Sequence, residues 1–407
     1  MPDYVTRTSC RICGKEQLQD LFSLGLHFIS DFIDPGSNKG TKAPIELVYC
    51  PHCTLIQNPH TTPQELLYTG HYWYRSGVTQ TMRDALKDVA DKATQYANLQ
   101  TGDIALDIGS NDGTLLRCYP NNITTVGFEP ATNLRDEGAK GIAVHIPDFW
   151  AAEAYWLEMR HHAKVITALG MFYDLEDPNQ FIADIADVLA PNGIFIAQLM
   201  CFQNMINVSD VGNLAHEHLE FYTLRSLEYL LETHGLEIFD IEVNDINGQS
   251  YRLMIQHKES VNHQWSERLS ELRRNETEIV SAAMMFHEDM EDNAFEVHRL
   301  IHNLHIEGKT IWIYGASTKG NTLLQYFDLH NNLITGASER SPEKWGKVTV
   351  GTNIPIYSER YAREQMPDYF LVLPYAFLPE FIEREKNEDW RKRGGKFIVP
   401  LPKVRII

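Results

Sequence analysis

The N-terminal part of the chain contains two pairs of cysteines with Cys-x-x-Cys spacing, and these pairs restrict its folding more than any other feature. The pairs are Cys10 with Cys13 and Cys50 with Cys53. Each pair places two thiolates on one tight turn, and two such turns complete a tetrahedral shell around one Zn²⁺. We therefore predict that residues 1–75 form a small zinc-binding module. Because four cysteines leave no position for water, the ion is expected to be structural.

The same cysteines could instead form two disulfides or remain free thiols. Zinc is favoured because the N-terminal sequence MPDYVTRTSC lacks the apolar stretch of a signal peptide, which predicts the reducing cytoplasm. The two remaining cysteines, Cys118 and Cys201, have apolar neighbours in the sequence. They are predicted to be core residues rather than nucleophiles.

Length and charge restrict the domain count and the partners. A chain of 407 residues is too long for one ordinary core, so two or three domains are expected. The net charge of −19 argues against a nucleic-acid partner, which requires clustered lysine and arginine. No run of about 18 apolar residues is present, so we expect no membrane partner. The sequence leaves the oligomeric state open.

The rest of the chain alternates helical and strand patterns, which predicts an α/β fold with parallel sheets. We assign residues 76–257 to a central domain and residues 258–407 to a helical connector followed by a second Rossmann-like domain. The predicted central strands are Ile104–Ile108, Thr125–Phe128, Lys164–Ala168, Gly193–Leu199 and Leu236–Val243. The predicted C-terminal strands are Thr310–Tyr314, Leu333–Ala337, Tyr369–Leu373 and Lys396–Val399, and residues 258–305 are predicted to form one or two helices.

The segment ALDIGSNDGTLL, residues 105–116, is the strongest indication of a ligand site. An apolar strand runs into a turn that contains Gly109 and Gly113, where the backbone can approach a ligand closely. Asp107 is placed to meet a cationic amino acid group. About twenty residues further on, a second strand ends at Glu129, and an acid at that point can accept hydrogen bonds from both ribose hydroxyls.

These acids favour S-adenosylmethionine as the cofactor. The turn does not have the G-x-G-x-x-G spacing of a dinucleotide site, and Asp107 and Asp112 would repel a pyrophosphate. S-adenosylmethionine carries a positive sulfonium and no phosphate. The alternative is a glycine turn without a ligand. The predicted cofactor-binding residues are Asp107, Gly109, Ser110, Asn111, Asp112, Gly113, Glu129, Pro130, Asp148, Phe149 and Leu169.

Across almost its whole length the chain resembles the nucleotide-sugar C-methyltransferases that build branched deoxysugars. The resemblance rests on the order of the paired cysteines, YWYRSG at 72–77, ALDIGSNDGTLL, HEHLEFY at 216–222, YGASTKGN at 314–321, EKWG at 343–346 and GGKFIVPLP at 394–402. It implies a zinc-binding module, a central class I methyltransferase domain and a C-terminal Rossmann-like domain. It also implies methylation of a ring carbon, usually C3, beside a 4-keto group on a nucleotide-linked sugar.

Two positions depart from this pattern. Family members often have tyrosine before the His-Glu-His motif, where this chain has Ala215. Some members have histidine where this chain has Asp174. These differences leave the sugar and the details of proton transfer open.

Carbon methylation beside a ketone requires a base for the ring C–H and a donor for the enolate oxygen. We predict that His218 is the base, that Glu217 orients it or binds a sugar hydroxyl, and that a tyrosine donates. The predicted catalytic residues are His218, Glu217, Tyr222, Tyr72, Tyr74, His216 and Asp174. The alternatives are that the two histidines are a metal pair or are buried and hydrogen-bonded, and that Tyr72 and Tyr74 belong to an aromatic core.

A second glycine turn, GASTKGN at 315–321, follows a predicted strand and could hold a diphosphate through backbone N–H groups. The alternative is a turn without a ligand. The predicted substrate-binding residues are Ser317, Thr318, Lys319, Asn321, Arg340 and Lys344. We thus expect a C-methyltransferase acting on a nucleotide-linked 4-keto-6-deoxysugar. The alternatives are an O- or N-methyltransferase, or a non-catalytic protein that binds the cofactor.

Overall fold

The structure, a computed structural model, describes residues 4–37, 40–69, 72–246, 249–260, 262–276 and 278–407. Its N-terminal module is built from short antiparallel strands, in which β4 pairs with both β2 and β5. A separate ladder pairs β1 with β6. The strands are β1 (Val5–Thr6), β2 (Gln19–Phe28), β3 (Phe32–Ile33), β4 (Lys42–Tyr49), β5 (Ile56–Gln57) and β6 (His60–Thr61), followed by a π-helix at Glu65–Thr69.

The central domain is a seven-stranded sheet with the order β13-β14-β11-β10-β7-β8-β9. Its strands are β7 (Ile104–Ile108), β8 (Thr124–Phe128), β9 (Val144–Ile146), β10 (Ala163–Leu169), β11 (Leu189–Met200), β13 (Leu236–Asn244) and β14 (Ser250–His257); β12 (Glu220–Phe221) joins another sheet. Its helices are α1 (Gln80–Ala97), α2 (Arg135–Ala139), α3 (Ala152–Glu158), α4 (Pro178–Val188), α5 (Phe202–Asn207) and α6 (Leu224–Thr233). Short 3₁₀ turns lie at Ser76–Val78, Leu116–Cys118, Thr132–Leu134 and Val211–Asn213.

The five predicted central strands are confirmed, but the sheet is only partly parallel. Strands β7 to β11 pair in parallel, whereas β14 pairs antiparallel with both β11 and β13. Strand β14 was not predicted because all but one of its residues are buried, so it lacks the alternation that marks a half-buried strand. Strand β9, which has only three residues, was not predicted either.

The C-terminal part begins with two helices, as predicted, and continues into a six-stranded sheet of order β18-β16-β15-β19-β20-β21. The helices are α7 (Glu267–Asn275), α8 (Ile279–Ile306), α9 (Thr318–Tyr326), α10 (Glu359–Glu364), α11 (Leu378–Glu385) and α12 (Asp389–Lys392), with 3₁₀ turns at Pro342–Lys344 and Tyr375–Phe377. The strands are β15 (Ile311–Tyr314), β16 (Gly336–Glu339), β17 (Val348–Thr349), β18 (Ile356–Ser358), β19 (Tyr369–Val372), β20 (Lys396–Val399) and β21 (Arg405–Ile406).

One strand prediction in this domain is wrong in position. The sequence predicted a strand over Leu333–Ala337, but β16 begins at Gly336. The N–H groups of Leu333 and Ile334 both donate to the carbonyl of His330, so these two apolar residues form a turn. Pairing with β15 starts only where Gly336 lies opposite Trp312.

Strand pairing connects the N-terminal module to both domains that follow, through short strands that lie outside their main sheets. Strand β12 pairs with β5, and β17 pairs with β3. The segment His216–Tyr222 is therefore held against the cysteine-containing module rather than within the central sheet. Among the described residues, no helix combines the length and apolar character needed to cross a bilayer.

Candidate active site

The four cysteines of the N-terminal module form one cluster, as the zinc prediction requires. The two turns have the same hydrogen-bond pattern: the N–H of Cys10 donates to Lys15 at 2.8 Å, and the N–H of Cys50 donates to Leu55 at 2.8 Å. All four sulfurs lie within 4.8 Å of one another. A tetrahedral zinc site with Zn–S bonds of about 2.3 Å has sulfurs about 3.8 Å apart, so these residues fit one Zn²⁺.

A buried arginine joins the first cysteine turn to the centre of the molecule. Arg11 lies between the two cysteines of the first pair, and its side chain has no exposed surface. Its guanidinium donates to the Glu176 carboxylate and lies 3.6 Å from the Glu220 carboxylate. It also donates to the carbonyl of Asn58 at 2.6 Å. The zinc module thereby contacts the two segments that carry the candidate catalytic residues Asp174 and His218.

A cavity of about 350 Å³ opens at the carboxyl ends of β7, β8 and β10. This is the edge at which parallel α/β sheets bind ligands. Seven of the eleven predicted cofactor residues line it, namely Gly109, Asn111, Glu129, Pro130, Asp148, Phe149 and Leu169.

Glu129 is fixed by the first glycine turn. Its two carboxylate oxygens accept the N–H groups of Asn111 at 2.9 Å and Ala131 at 2.8 Å. Burial raises the pKa of Glu129, while these two hydrogen bonds oppose the rise. The carboxylate is thereby aimed into the cavity with acceptor capacity left for a ligand hydroxyl.

The other four predicted cofactor residues support the turn and do not line the cavity. Asp107 is buried and accepts a hydrogen bond from the Thr167 hydroxyl at 2.6 Å, and burial raises its pKa to about 7. Asp112 accepts the N–H of Gly77 at 2.7 Å. At Gly113, a side chain would come within 2.8 Å of the Gly138 carbonyl, and Ser110 packs against Gly127.

Several residues of the cavity wall were not predicted from the sequence, among them Gln64, Tyr68, Trp150, Met171 and Gln180. Trp150 is informative because its indole Nε1 is buried with no hydrogen-bond partner among the described residues. A buried donor without a partner in a ligand cavity indicates a ligand acceptor. Its position beside Asp148 and Phe149 was the only sequence signal.

Three of the predicted catalytic residues line the same cavity: Tyr72, Tyr74 and Asp174. The Asp174 Oδ1 is buried and has no hydrogen-bond partner among the described residues. Burial raises the pKa of Asp174 well above its ordinary value, and the nearby Glu217 raises it further. The raised pKa favours the neutral carboxylic acid of Asp174, which can donate a hydrogen bond as well as accept one.

The other four predicted catalytic residues do not line this cavity. The Nδ1 of His218 is 2.7 Å from the carbonyl of Asn213, and its ring packs edge-on against Tyr173 at 4.5 Å between centroids. Burial, and to a smaller extent the charge of Lys319, lower the pKa of His218 to about 3. Glu217 is half-buried, burial raises its pKa, and its carbonyl accepts the Tyr68 hydroxyl at 3.3 Å.

Two of these predicted residues make contacts typical of a packed interior. The Nε2 of His216 is 2.9 Å from the carbonyl of Ala43, and burial lowers the pKa of His216 to about 4. The ring of Tyr222 is fully buried and stacks on Phe172 at 5.2 Å. The hydroxyl of Tyr222 donates to the Phe172 carbonyl at 3.4 Å.

The second glycine turn contacts the other domains. Ser317 caps α9 by accepting the N–H of Gly320 at 3.0 Å, and Thr318 accepts the Ser30 hydroxyl at 2.8 Å through its carbonyl. Asn321 is buried and donates to the carbonyl of Asp31 at 2.9 Å. These contacts fasten the turn to the N-terminal module.

The three predicted substrate-binding cations have different environments. Lys319 donates to the side-chain oxygen of Asn213, the residue whose carbonyl contacts His218. Lys344 is buried, donates to the Ala316 carbonyl at 2.7 Å and lies over the Phe32 ring at 4.5 Å. Arg340 is exposed. Of these three, Lys319 is therefore the one that connects the second glycine turn to the candidate catalytic histidine.

Three family models match successive parts of the chain. A model described as "Putative zinc binding domain" matches residues 10–68. A "Methyltransferase domain" model matches residues 74–241, and a "C-methyltransferase C-terminal domain" model matches residues 245–402. The C-methyltransferase NovU of Streptomyces niveus is 28% identical, and the alignment covers 98% of this chain and 96% of NovU.

Solved methyltransferase structures are similar to less than half of the chain. A methyltransferase from Clostridium acetobutylicum has a TM-score of 0.34 at 12% identity, covering 43% of this chain and 92% of that one. The amino pentose methyltransferase CalS10 from Micromonospora echinaspora has a TM-score of 0.33 at 13% identity, covering 43% and 91%. Scores this low carry no inference about function.

The fold, the cysteine cluster and the family matches define an S-adenosylmethionine-dependent methyltransferase with an N-terminal zinc-binding module. The predicted fold class, enzyme class, cofactor and zinc module are confirmed at this level. More particularly, the chain is a C-methyltransferase related to NovU.

We expect purified protein to hold about one Zn²⁺ per chain, bound by the four clustered cysteines. Cys50→Ser should lose the metal and lower the melting temperature, because zinc binding is coupled to folding of the module. Elemental analysis and thermal melts measure both effects. Cys118→Ser, which lies outside the cluster, should retain zinc. Folded, reduced wild-type protein without metal would contradict the assignment.

Glu129→Ala should weaken S-adenosylmethionine binding by ten-fold or more. Hydrogen bonds to a charged group contribute roughly 1.5–3 kcal/mol, and about 1.4 kcal/mol corresponds to ten-fold in affinity. Titration calorimetry measures the change, and Glu153→Ala, at an acid outside the cavity lining, is the control. Unchanged affinity in Glu129→Ala would show that the ribose is held elsewhere.

Proposed function

We propose that the protein transfers a methyl group from S-adenosylmethionine to C3 of a nucleotide-linked 4-keto-6-deoxysugar, for branched deoxysugar biosynthesis in the cytoplasm. The observation that carries the proposal is the state of His218. A backbone carbonyl only accepts hydrogen bonds, so the Nδ1 of His218 must carry the proton that it shares with the Asn213 carbonyl. The lone pair is then on Nε2, and burial keeps the ring neutral.

A neutral imidazole in a fixed tautomer has a lone pair that can accept the proton of an acidic C–H. In the proposed reaction, the Nε2 of His218 takes the proton from C3. The electron pair of that bond forms a C3–C4 double bond and places negative charge on the ketone oxygen. The cofactor supplies an electrophilic methyl group on a positive sulfonium. C3 then forms a bond to the methyl carbon while the methyl–sulfur bond breaks. The proton taken from C3 remains on His218.

Lys319 couples the substrate to the basicity of His218 in this proposal. Its positive charge lowers the pKa of His218, and its ammonium contacts the side chain of Asn213. A diphosphate bound at Lys319 would neutralise that charge. The pKa of His218 would then rise towards the pH at which a histidine base is most effective.

Asp174 is the donor that we assign to the developing enolate oxygen. It lines the cavity, its Oδ1 has no partner among the described residues, and its raised pKa favours the neutral carboxylic acid. A neutral carboxylic acid in a buried site can donate to an oxyanion, which provides electrostatic stabilisation when charge develops. Tyr72 and Tyr74 line the same cavity and are the neighbouring hydroxyl donors.

The proposal predicts that methyl transfer depends on the ketone. Wild-type protein should methylate carbon in 4-keto-6-deoxysugars linked to dTDP, GDP or CDP, and should not methylate the matching 4-hydroxy sugars. Mass spectrometry and NMR of the products identify the methylated atom. Equal methylation of the 4-hydroxy sugars would indicate an O- or N-methyltransferase. Intact cofactor binding without turnover on any of them would favour a non-catalytic binding protein.

In the same assay, His218→Ala should lower kcat by about 10²–10⁴-fold, the usual effect of removing a general base. Its affinity for S-adenosylmethionine should be nearly unchanged, because His218 lies outside the cofactor cavity wall. The comparison variant is His216→Ala, whose wild-type ring is bonded to the Ala43 carbonyl. A large kcat loss in His216→Ala with none in His218→Ala would transfer the base role to His216.

A further inference from the structure

Asn213 connects a buried carboxyl group to the ring of His218. Its side-chain Nδ2 donates to the Oδ2 of Asp210 at 2.6 Å, and its backbone carbonyl lies 2.7 Å from the Nδ1 of His218. Asp210 is 4% exposed and Asn213 is 1% exposed. Among the described residues, the Asn213 carbonyl is the one hydrogen-bond partner of the His218 ring. A side-chain bond between residues three apart therefore holds the residue whose carbonyl contacts the imidazole.

The orientation of the Asn213 amide is fixed by the chemistry of its neighbours. An ammonium group can only donate, so Lys319 requires the amide oxygen. The amide nitrogen, which can only donate, then faces the Oδ2 of Asp210, which accepts. A flipped amide would place its NH₂ group against the Lys319 ammonium. The Asn213 side chain thus has one favourable orientation.

The segment from Asp210 to Asn213 is packed tightly against α9. The N–H of Asp210 donates to the Met205 carbonyl at 2.9 Å, and the carbonyl of Asp210 accepts the N–H of Asn213 at 3.3 Å. A side chain at Gly212 would come within 3.2 Å of the Oδ1 of Asp210 and 3.8 Å of the Cβ of Lys319. Removing the Asp210 carboxyl group would therefore open space beside the turn and release the Asn213 side chain.

We propose that Asp210 is a positioning residue for the general base. This role rests on the proposed function, which assigns the base to His218. Asp210 acts through Asn213: it holds the carbonyl against Nδ1, so that the ring proton stays there and the lone pair stays on Nε2. Asp210 itself does not line the cofactor cavity.

Loss of the Asp210 carboxyl group should loosen the histidine without leaving the backbone unsatisfied. The Asn213 carbonyl also accepts the N–H of Ala215 at 3.1 Å, so it keeps a partner if it turns away from the imidazole. The ring of His218 is then free to carry its proton on either nitrogen. Molecules with the proton on Nε2 have no lone pair there to accept the proton from C3. The fraction of protein with a competent base should therefore fall.

The first test measures the tautomer of His218 by ¹⁵N NMR of histidine-labelled protein without substrate, with His218→Ala to assign the signals. Wild type should carry the proton on Nδ1, and Asp210→Ala should show a substantial population with the proton on Nε2. Asp210→Asn should match wild type, because its side-chain oxygen can still accept the Asn213 amide. If Asp210 served only as a counter-charge for Lys319, Asp210→Asn would fail like Asp210→Ala, and the proposal would be wrong.

The second test measures kcat with a 4-keto sugar that wild type methylates, together with the affinity for S-adenosylmethionine. Asp210→Ala should lower kcat by about 10–10²-fold at unchanged cofactor affinity, because a small misplacement of a reacting group costs about this much. Asp210→Asn should restore most of kcat. Asp240→Ala is the control: Asp240 is another buried acid of the central domain, which accepts the Tyr96 hydroxyl at 2.8 Å, and its loss should leave kcat and the His218 tautomer unchanged.

Asn213→Leu tests the same link if Asp210→Ala does not fold, because it keeps the backbone carbonyl and removes the bond to Asp210. It should shift the tautomer as Asp210→Ala does, and the double variant should be no worse than the more affected single variant. An unchanged tautomer in both single variants would overturn the positioning role, whichever residue is the base. A shifted tautomer with unchanged kcat would instead overturn His218 as the base, and with it the role of Asp210 in catalysis.

Discussion

The buried guanidinium of Arg11 is the contact on which the arrangement of the candidate site depends. It lies inside the first cysteine turn and contacts Glu176 and Glu220, which belong to two different segments of the central domain. A buried cation of this kind must keep all its partners, because losing one leaves an uncompensated charge in the interior. Zinc fixes the turn, the turn fixes Arg11, and Arg11 fixes the segments that carry Asp174 and His218. The four cysteines therefore support the candidate catalytic segments through Arg11, whereas Tyr68 of the same module lines the cavity directly.

The cofactor and the substrate meet opposite electrostatic environments. The cofactor cavity is lined by carboxyl groups such as Glu129 and Asp148, which suit a ligand with a positive sulfonium. Lys319 enters the catalytic region from the C-terminal domain and contacts Asn213, whose carbonyl holds His218. An anionic substrate group bound at Lys319 would thus change the electrostatic environment of His218, because Asn213 contacts both residues. In the proposed reaction, this coupling would give the C-terminal domain, which does not line the cofactor cavity, a role in catalysis.

The sequence predicted local features well and long-range contacts poorly. The cysteine spacing predicted the sulfur cluster because each pair lies on one tight turn. The turn at Gly109 with the acid at Glu129 predicted the cavity wall because these residues follow two adjacent strands, β7 and β8. The buried role of Asp107 depends on Thr167, a residue on another strand, and could not be read from its own segment. The wall residue Tyr68 was missed for the same reason, because it comes from the N-terminal module rather than from the segment that carries the glycine turn. Strand β14 was missed because burial on both faces removes the alternating pattern.

The central claim is that an enolate forms beside the ketone before the methyl group is transferred. The most direct measurement is exchange of the C3 hydrogen with D₂O in a complex of wild-type protein, S-adenosylhomocysteine and a nucleotide-linked 4-keto-6-deoxysugar that it methylates. S-adenosylhomocysteine has no methyl group to give, so deprotonation at C3 can only be followed by reprotonation. The account predicts deuterium at C3, at a rate that His218→Ala lowers strongly. Wild-type protein that methylates this sugar yet leaves its C3 hydrogen unexchanged, or a His218→Ala variant that exchanges it at the wild-type rate, would contradict the account.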